Sequence, residues 1–288
     1  MEIFTTESGK QILTPALRDD VFVKPVQENS TAAQACTEVP ITPGDKVRFP
    51  IIEKDAAANW VGEGEQITET APTINEVVVT TNKVAALTVI TNELKNDTKD
   101  ASLKAMMAGL IRQIITQIDK AFFTTKPIPK APKGVGLLEG VTNLTTNAKN
   151  LDVFIEANTV AVNHGGYGMQ YFTNPTDLEK LLKVKEATSS NRPLLAVGSG
   201  QGAVVAPDGS PIITSPHVEA GTIWGIPKST ARMVYETSGT TLLGSGPEIV
   251  GDSSAYFAWD SIAYRATYRT GFGFLNPAAV VKIAINGG

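Results

Sequence analysis

The longest unbroken hydrophobic period in the chain predicts an α-helix from Thr98 to Thr125. Apolar side chains recur there at steps of three and four residues, which places them on one helical face. Asp97 or Thr98 can accept hydrogen bonds from the free N–H groups at its start, and the prolines of 127–132 end it. Such a helix spans roughly 40 Å. This length exceeds the needs of a compact domain and is typical of the spine of an extended molecule.

Two β-rich segments before this helix predict a long two-stranded arm. Residues 46–52 are mostly apolar, and Pro50 favours an edge strand or a bulge. Residues 74–91 alternate in the strand period and, if extended throughout, reach roughly 55 Å. Residues 55–73 between them are rich in Ala, Gly, Glu and Thr and predict a flexible acidic tip. Because an isolated hairpin is marginally stable in water, we expect the arm to gain its order from neighbouring molecules.

The second half of the chain predicts an α/β region at about 151–235, followed by strands in 240–285. Local signals divide these regions. They are an Asn-Pro helix start at 174–175, an Asp-Gly hairpin turn at 208–209, a Gly-Ile-Pro turn between strands at 225–227 and an aromatic strand at 256–259.

The first 44 residues have a different character. Their apolar residues are scattered among Thr, Ser, Asn and Pro. A segment of this kind does not fold alone. We expect it to be ordered by lying along another subunit.

Composition sets further limits. Of 288 residues, 42% are hydrophobic and 19% charged, which is enough for a sizeable core and too little charge for a disordered chain. The net charge of −4 argues against a dedicated nucleic-acid binder, although not against a protein that encloses nucleic acid. Cys36 is the single cysteine, so no intrachain disulfide forms. Neither a signal peptide nor a membrane span is recognisable, and we expect synthesis in a cytoplasm.

The sequence offers little for chemistry. His164 and His217 lack ligand spacing, whereas a zinc site needs three or four suitable side chains. The glycines of 198–202 lack the context of a phosphate-binding loop and are better explained as a surface loop. We therefore predict no catalytic residue, metal site or cofactor. A soluble α/β enzyme using those glycines is a third and weaker interpretation.

Several stretches together are similar to one known family. They are WVGEG and the strands after it (60–94), the helix with the following PKGVGLL loop (97–138), FTNPTDLEKLLKVKE (172–186), TIWGIPKSTA (222–231) and the closing strands (257–283). Their order and spacing resemble the major capsid proteins of tailed bacteriophages with the Hong Kong 97 fold.

This resemblance implies an α+β fold with defined parts. They are an N-terminal arm at 1–44, an extended β-hairpin loop at 45–84, a peripheral domain with the spine helix at 85–147 and 237–288, and an α/β axial domain at 148–236.

The implied function is structural, not enzymatic. Members of the family self-assemble as hexamers and pentamers into an icosahedral head around double-stranded DNA, which they enclose without sequence-specific binding. The implied partners are other copies of the chain, scaffolding and portal proteins, and a decoration protein. Assembly is expected in the cytoplasm of a bacterial host, and the product is a virion. The alternative with the same fold is an encapsulin-like nanocompartment that encloses cargo protein.

The hairpin tip supplies the candidate contact residues. Trp60 is the one tryptophan of residues 55–73, and Glu63, Glu65 and Glu69 follow it. These acidic residues form either a solvated face or a partner for basic groups on a neighbouring subunit. We expect the second, as the resemblance implies.

Two features depart from some family members. The chain enters the arm directly at Met1, so we expect a separate scaffolding protein or none. The founding member cross-links its subunits through a loop Lys, with help from a Glu. Residues 55–82 contain no lysine, and the corresponding positions are Ile67 and Thr267. Without the amine the amide bond cannot form, so we expect a non-covalent shell.

Overall fold

A computed structural model describes residues 6–7, 10–12, 23–42, 46–54, 56–66, 69–93, 99–147, 151–185, 193–197, 204–237 and 248–285. The helices are α1 (Lys24–Asn29), α2 (Thr31–Ala35), α3 (Lys99–Phe123), α4 (Asp152–Asn163) and α5 (Pro175–Leu182). The strands are β1 (Thr6–Glu7), β2 (Lys10–Ile12), β3 (Thr37–Ile41), β4 (Val47–Lys54), β5 (Thr73–Val79), β6 (Asn82–Thr91), β7 (Thr142–Thr146), β8 (Met169–Thr173), β9 (Ala196–Val197), β10 (Val204–Val205), β11 (Pro211–Thr214), β12 (Thr222–Pro227), β13 (Ala231–Glu236), β14 (Glu248–Asp252), β15 (Ser261–Phe274) and β16 (Val281–Ile285).

The long strand β15 organises the first sheet, here called the main sheet. β6 pairs antiparallel along one side of β15, from Ser261↔Thr91 to Thr270↔Asn82. β14 and β13 pair in succession along the other side. β3 extends the sheet as a parallel neighbour of β13, and the β1–β2 hairpin continues it beyond β14.

The second sheet has the strand order β7-β16-β12-β8-β11-β10-β9. It is mixed, because β8 pairs parallel with β11 and β16 pairs parallel with β7, while β12 is antiparallel to both its neighbours. α4 and α5 contribute Phe154, Ala157 and Leu181 to its separate hydrophobic core. β7 and β16 lie in this sheet, whereas β13 lies in the main sheet. The residues of each sheet therefore do not coincide with one predicted domain range.

The predicted long helix is α3. Its buried apolar residues belong to the core beneath the main sheet: Met107, Leu110, Ile111, Ile114, Ile118, Phe122 and Phe123. β6 turns Val84 and Ala86 towards the same core. Burial of this apolar stripe against the sheet stabilises the helix despite the unfavourable Gly109 in its middle. The two N-cap candidates at 97 and 98 lie outside the described residues.

The predicted two-stranded arm is the hairpin of β4 and β5, whose register runs from Val47↔Val79 to Lys54↔Thr73. The expected single strand over 74–91 is, however, divided. β5 pairs with β4, and after Thr80 and Thr81 the chain enters β6 and pairs with β15. Two glycines of β15 permit this crossing. A Cβ on Gly271 would lie 2.4 Å from the Thr80 carbonyl oxygen, and one on Gly273 would lie 2.4 Å from a methyl group of Val79.

The expectation that another subunit orders the N-terminal segment is wrong for residues 23–41. Val26, Ala32 and Cys36 are fully buried in the subunit's own core, and β3 pairs with β13. Three small residues of α2 let this short helix lie close to α3. A buried hydrogen-bonded contact between the start of α2 and α3 holds this segment on its own subunit.

Two local predictions are confirmed and two are wrong. Asn174 caps α5 by accepting from Thr176 N, and the turn at 208–209 joins β10 to β11. The Gly-Ile-Pro triplet is part of β12, because Gly225 packs flat against Tyr171, and a Cβ added to this glycine would lie 3.2 Å from the ring. The turn follows at 228–230. The aromatic segment at 256–259 lies in a 3₁₀ helix (Ser254–Trp259), whose aromatic rings Phe257 and Trp259 face solvent.

Candidate assembly surface

The hairpin of β4 and β5 carries apolar side chains that its own subunit does not cover. Ile52, Ile74 and Val78 are all exposed. Cross-strand hydrogen bonding and an exposed 2.6 Å ion pair between Arg48 and Glu76 hold the two strands together. An exposed pair of this kind contributes at most about 1 kcal/mol. The hairpin is therefore a preformed rod without a core of its own.

Trp60 stands at the tip of this rod with its side chain fully exposed, and the neighbouring Val61 is also exposed. The next residues form a turn in which Glu65 N donates to the Gly62 carbonyl oxygen at 3.2 Å. Gly64 adopts the left-handed conformation there, with φ of 83°. The turn thus displays an indole ring and an acidic group together, beyond the paired ends of β4 and β5.

The three acidic residues of the tip differ in role. The Glu65 carboxylate accepts a 2.9 Å hydrogen bond from Gly62 N and so stabilises its own turn. Glu63 and Glu69 are exposed and form no ion pair with any residue that the structure describes. Ala57 N donates to the Thr70 hydroxyl at 2.8 Å, which closes the neck of the loop. Of the predicted contact residues, Glu65 thus has a local structural task, while Trp60, Glu63 and Glu69 are available to meet a partner.

The base of the hairpin is fixed by a contact that the sequence did not predict. The Thr81 hydroxyl donates to Glu236 Oε1 at 2.5 Å, and Arg269 Nε lies 3.7 Å from Glu236 Oε2. Glu236 is only 1% exposed. A buried carboxylate of this kind is stabilised by a charge-assisted hydrogen bond and a nearby cation. No periodicity signals it, because its partners come from distant parts of the chain.

A groove opens beside this base, between β6, α3 and the proline-containing segment at 128–132. Its volume is about 560 Å³. Ile114, Ile118 and Ala121 of α3 form its apolar floor. Lys83 and Lys130 are its charged lining residues, so the groove combines an apolar floor with a basic rim.

Tight backbone contacts hold the segment that forms the rim. Asn82 Nδ2 donates to the Lys130 carbonyl oxygen at 3.0 Å, and Lys130 itself is left-handed, with φ of 65°. Gly134 and Gly136 allow the chain to run against the end of α3, because a Cβ at either position would lie 2.2 Å from a backbone oxygen there. The PKGVG motif thus indicated a loop, but not the groove that the loop completes.

Within the described residues, no group of three or more His, Cys, Asp or Glu side chains could hold a metal ion. The glycines of 198–202, and Ile67 of the tip, lie outside the described residues. Among the described helices, none is both long and apolar enough to cross a membrane.

Comparison with known proteins gives the family. A model of the phage capsid family matches residues 10–285. The capsid of an empty GTA particle is 14% identical, with a TM-score of 0.71 over 90% of each chain. The structure from Gordonia phage Cozz is 17% identical, with a TM-score of 0.66 over 90% of this chain and 87% of that one.

A third similar structure is a virus-like particle from Pyrococcus furiosus, 15% identical, with a TM-score of 0.56 over 92% of this chain and 97% of that one. No curated protein sequence matches significantly. At these identities the structural similarities establish the fold, and the family match covers nearly the whole chain. The chain therefore belongs to the phage capsid family, has the Hong Kong 97 capsid fold and is a structural shell protein rather than an enzyme.

Proposed function

We propose that this chain self-assembles as hexamers and pentamers into the icosahedral head of a tailed phage, around a double-stranded DNA genome. One observation carries the proposal beyond the family match. The subunit has a folded body but projects a hairpin whose apolar residues and tip Trp60 are left exposed by the described part of the subunit. Exposed apolar surface of this kind marks a site of protein association.

Assembly supplies what the hairpin lacks. A two-stranded hairpin is marginal by itself and gains stability when its apolar side chains are covered. Each contact is small, but a shell repeats it many times, and the summed interaction is strong. Closed symmetry limits the growth of such an assembly. Trp60, Glu63 and Glu69 are the tip residues that we assign to contact with a neighbour, with Glu65 shaping the turn.

The two sheets are assigned to different units of the capsid subunit. We assign the main sheet and α3 to a peripheral unit, and the second sheet with α4 and α5 to an axial unit near the centre of each capsomer. The mildly acidic chain suits a container that encloses DNA without gripping it, because phosphate contacts need Lys and Arg. Scaffolding, portal and decoration proteins are the further partners of this proposal, with assembly in the cytoplasm of a bacterial host.

An encapsulin-like shell that encloses cargo protein is the second candidate. It has the same fold as the first candidate, and a virus-like particle from Pyrococcus furiosus is among the structures with that fold. The TM-scores of 0.71 and 0.66 to the GTA and phage Cozz structures exceed the 0.56 found for that particle, which favours the phage head.

Cryo-EM of native particles tests the proposal directly. We expect closed icosahedral shells with hexamers and pentamers, and an absorbance ratio at 260 and 280 nm dominated by nucleic acid. Closed shells with a protein-like ratio and an internal protein density would support the second candidate. A monomeric peak on size exclusion, without particles, would contradict both and would revive the enzyme interpretation.

A further inference from the structure

The exposed side of α3 and the loop that follows it carry positive charge that the subunit leaves unbalanced. The cations are Arg112 and Lys120 of the helix, and Lys126 and Lys133 of the loop. All four are exposed, and none forms an ion pair with any other residue that the structure describes. Asp119, the one acidic residue of 105–138, is buried. This surface, here called the basic face, is thus positive in a chain whose net charge is −4.

The lysines in and next to α5, by contrast, have acidic partners nearby, such as Glu179 Oε1 at 2.5 Å from Lys183 Nζ. Glu219 approaches the basic face, where its carboxylate accepts a 3.3 Å hydrogen bond from the Thr125 hydroxyl. One exposed carboxylate does not balance four cations. Because like charges repel one another, a partner that brings negative charge would stabilise this surface.

The backbone that carries the loop lysines is rigid, while their ammonium groups are free. Pro127, Pro129 and Pro132 each fix φ. Ala131 N donates to the Ile128 carbonyl oxygen at 3.1 Å, which closes a turn between them. Cations on such a segment lose little backbone freedom when they bind a ligand, so the loop is prepared for binding.

The surroundings of these cations favour phosphate over protein as the partner. Residues 105–138, all of which the structure describes, expose no large hydrophobic side chain. A protein interface is usually anchored by such side chains, whereas contacts to nucleic acid are polar, positively charged and hydrated. Arg112 and Lys120 are roughly 12 Å apart along the helix axis. Duplex DNA presents one negative charge per about 1.7 Å of its own axis, so several phosphates fit along this face.

We propose that the basic face lies on the inner wall of the shell and contacts the phosphate backbone of the enclosed DNA. The apolar stripe of α3 packs against the main sheet, so this assignment turns α3 towards the DNA and the main sheet away from it. The inference rests on the proposed function and adds the orientation of the subunit in the shell wall. Phosphate contacts carry no sequence information. With four cations per subunit, the DNA is touched at many points but held weakly at each.

Lysine footprinting of native particles tests where the basic face lies. DNA-filled particles and particles emptied of DNA are treated with a small amine-reactive reagent, and the modified lysines are quantified by mass spectrometry. Lys126 and Lys133 should be labelled several-fold less in filled particles, because phosphate contacts cover their ammonium groups. Lys46 and Lys183, which are exposed but lie outside the basic face, should be labelled equally in both. Equal labelling of Lys126 and Lys133 in the two kinds of particle would overturn the proposal.

Salt dependence of DNA binding by unassembled subunits tests the contact itself. Fluorescence anisotropy of a labelled duplex gives the binding constant at several salt concentrations. Lys126→Gln combined with Lys133→Gln should reduce the slope of its logarithm against that of the salt concentration by about 1.8, since each phosphate contact contributes about 0.9. The matched control, Lys46→Gln with Lys183→Gln, changes the net charge equally and should leave the slope unchanged. Duplexes of unrelated sequence should bind equally well.

Other results would count against the contact. Equal slopes for the two double variants would overturn it, as would tighter binding to polyglutamate than to a duplex of equal charge, which would identify an acidic protein segment as the partner. Closed, DNA-filled shells whose Lys126 and Lys133 stay fully reactive would also overturn it, while the shell function would stand. Failure of the unmodified chain to give particles under any assembly condition would instead count against the shell function itself.

Discussion

The hydroxyl of Ser30 donates a 2.6 Å hydrogen bond to Oδ1 of the buried Asp119 carboxylate, which joins the N-terminal segment to the long helix. Thr31 N and Ala32 N donate to the same carboxylate at 3.2 and 3.0 Å. These N–H groups lie at the start of α2 and have no partner within the helix. A buried acidic side chain on α3 thus caps a helix that lies almost 90 positions earlier in the sequence.

Asp119→Ala should lower the free energy of unfolding by about 3 kcal/mol, because it leaves buried donors without an acceptor. Urea unfolding of unassembled subunits measures this difference. Glu156→Ala, at an exposed position on α4, is the control and should change stability by less than about 0.5 kcal/mol. Similar values for the two variants would mean that the carboxylate does not stabilise the docked segment.

The reactivity of Cys36, the single cysteine, tests whether the N-terminal segment is packed against α3. Cys36 is buried at the end of α2, and burial raises the pKa of its thiol above the ordinary value. Since the thiolate is the reactive form, native subunits should resist a thiol reagent at neutral pH, and denatured chains should react once per chain. Asp119→Ala should accelerate labelling of the native subunit. Immediate labelling of the native wild-type chain would show that residues 23–36 are not held as described.

Gly134→Ala and Gly109→Ala should change stability in opposite directions. A Cβ on Gly134 would lie 2.2 Å from the Phe122 carbonyl oxygen, so the backbone must shift, at a cost of about 3 kcal/mol. A Cβ on Gly109 meets only the end of Arg112 at 3.7 Å, and alanine favours the helix by about 1 kcal/mol. Thermal unfolding of the unassembled variants distinguishes them. Equal shifts would contradict the close approach of the loop to α3.

Hydrophobic periodicity predicted those elements whose structure depends on their own local sequence. The apolar steps from Met107 to Phe122 predicted α3, and the apolar run at 46–52 with the alternation in 74–91 predicted the hairpin, because these patterns depend on local geometry. The Asn174 cap and the turn at 208–209 are likewise local.

Contacts between distant segments were beyond the reach of periodicity. Ser30 and Asp119, or Thr81 and Glu236, meet only after the sheets have formed, and no spacing in the sequence marks them. Gly225 looked like a turn residue, although its role is to admit the ring of Tyr171. The tip residues could be chosen from composition and the family resemblance, but the groove depends on the fold that joins β6 to α3.

The shell should be non-covalent. Residues 55–82 have no lysine to attack an amide, and Thr267, at the position of the assisting acid, is a buried hydroxyl residue on β15. Purified particles boiled in SDS should therefore run as one band near 30.5 kDa. A ladder of SDS-resistant multimers, mapped by mass spectrometry to a peptide of residues 55–82, would contradict this prediction.

Charge reversal at the tip should separate assembly from folding. Glu63→Lys and Glu69→Lys together should impair particle formation, because they would set like charges against basic groups on a neighbouring subunit, yet they should leave the unfolding of free subunits unchanged. Glu65→Lys should also disturb the tip itself, because Glu65 accepts from Gly62 N. Light scattering during assembly and urea unfolding of free subunits provide the two measurements.

A compensating change gives this last prediction its strongest test. Lys130→Glu reverses the charge at the rim while the carbonyl of residue 130 keeps its hydrogen bond from Asn82. If this rim of a neighbouring subunit is the surface that meets the acidic tip, combining Lys130→Glu with Glu69→Lys restores opposite charges and should recover part of the lost assembly, whereas each single variant should assemble poorly. Rescue that weakens with added salt would identify the interaction as electrostatic. Normal, equally stable particles from the Glu63→Lys/Glu69→Lys chain would reject a role for the acidic tip.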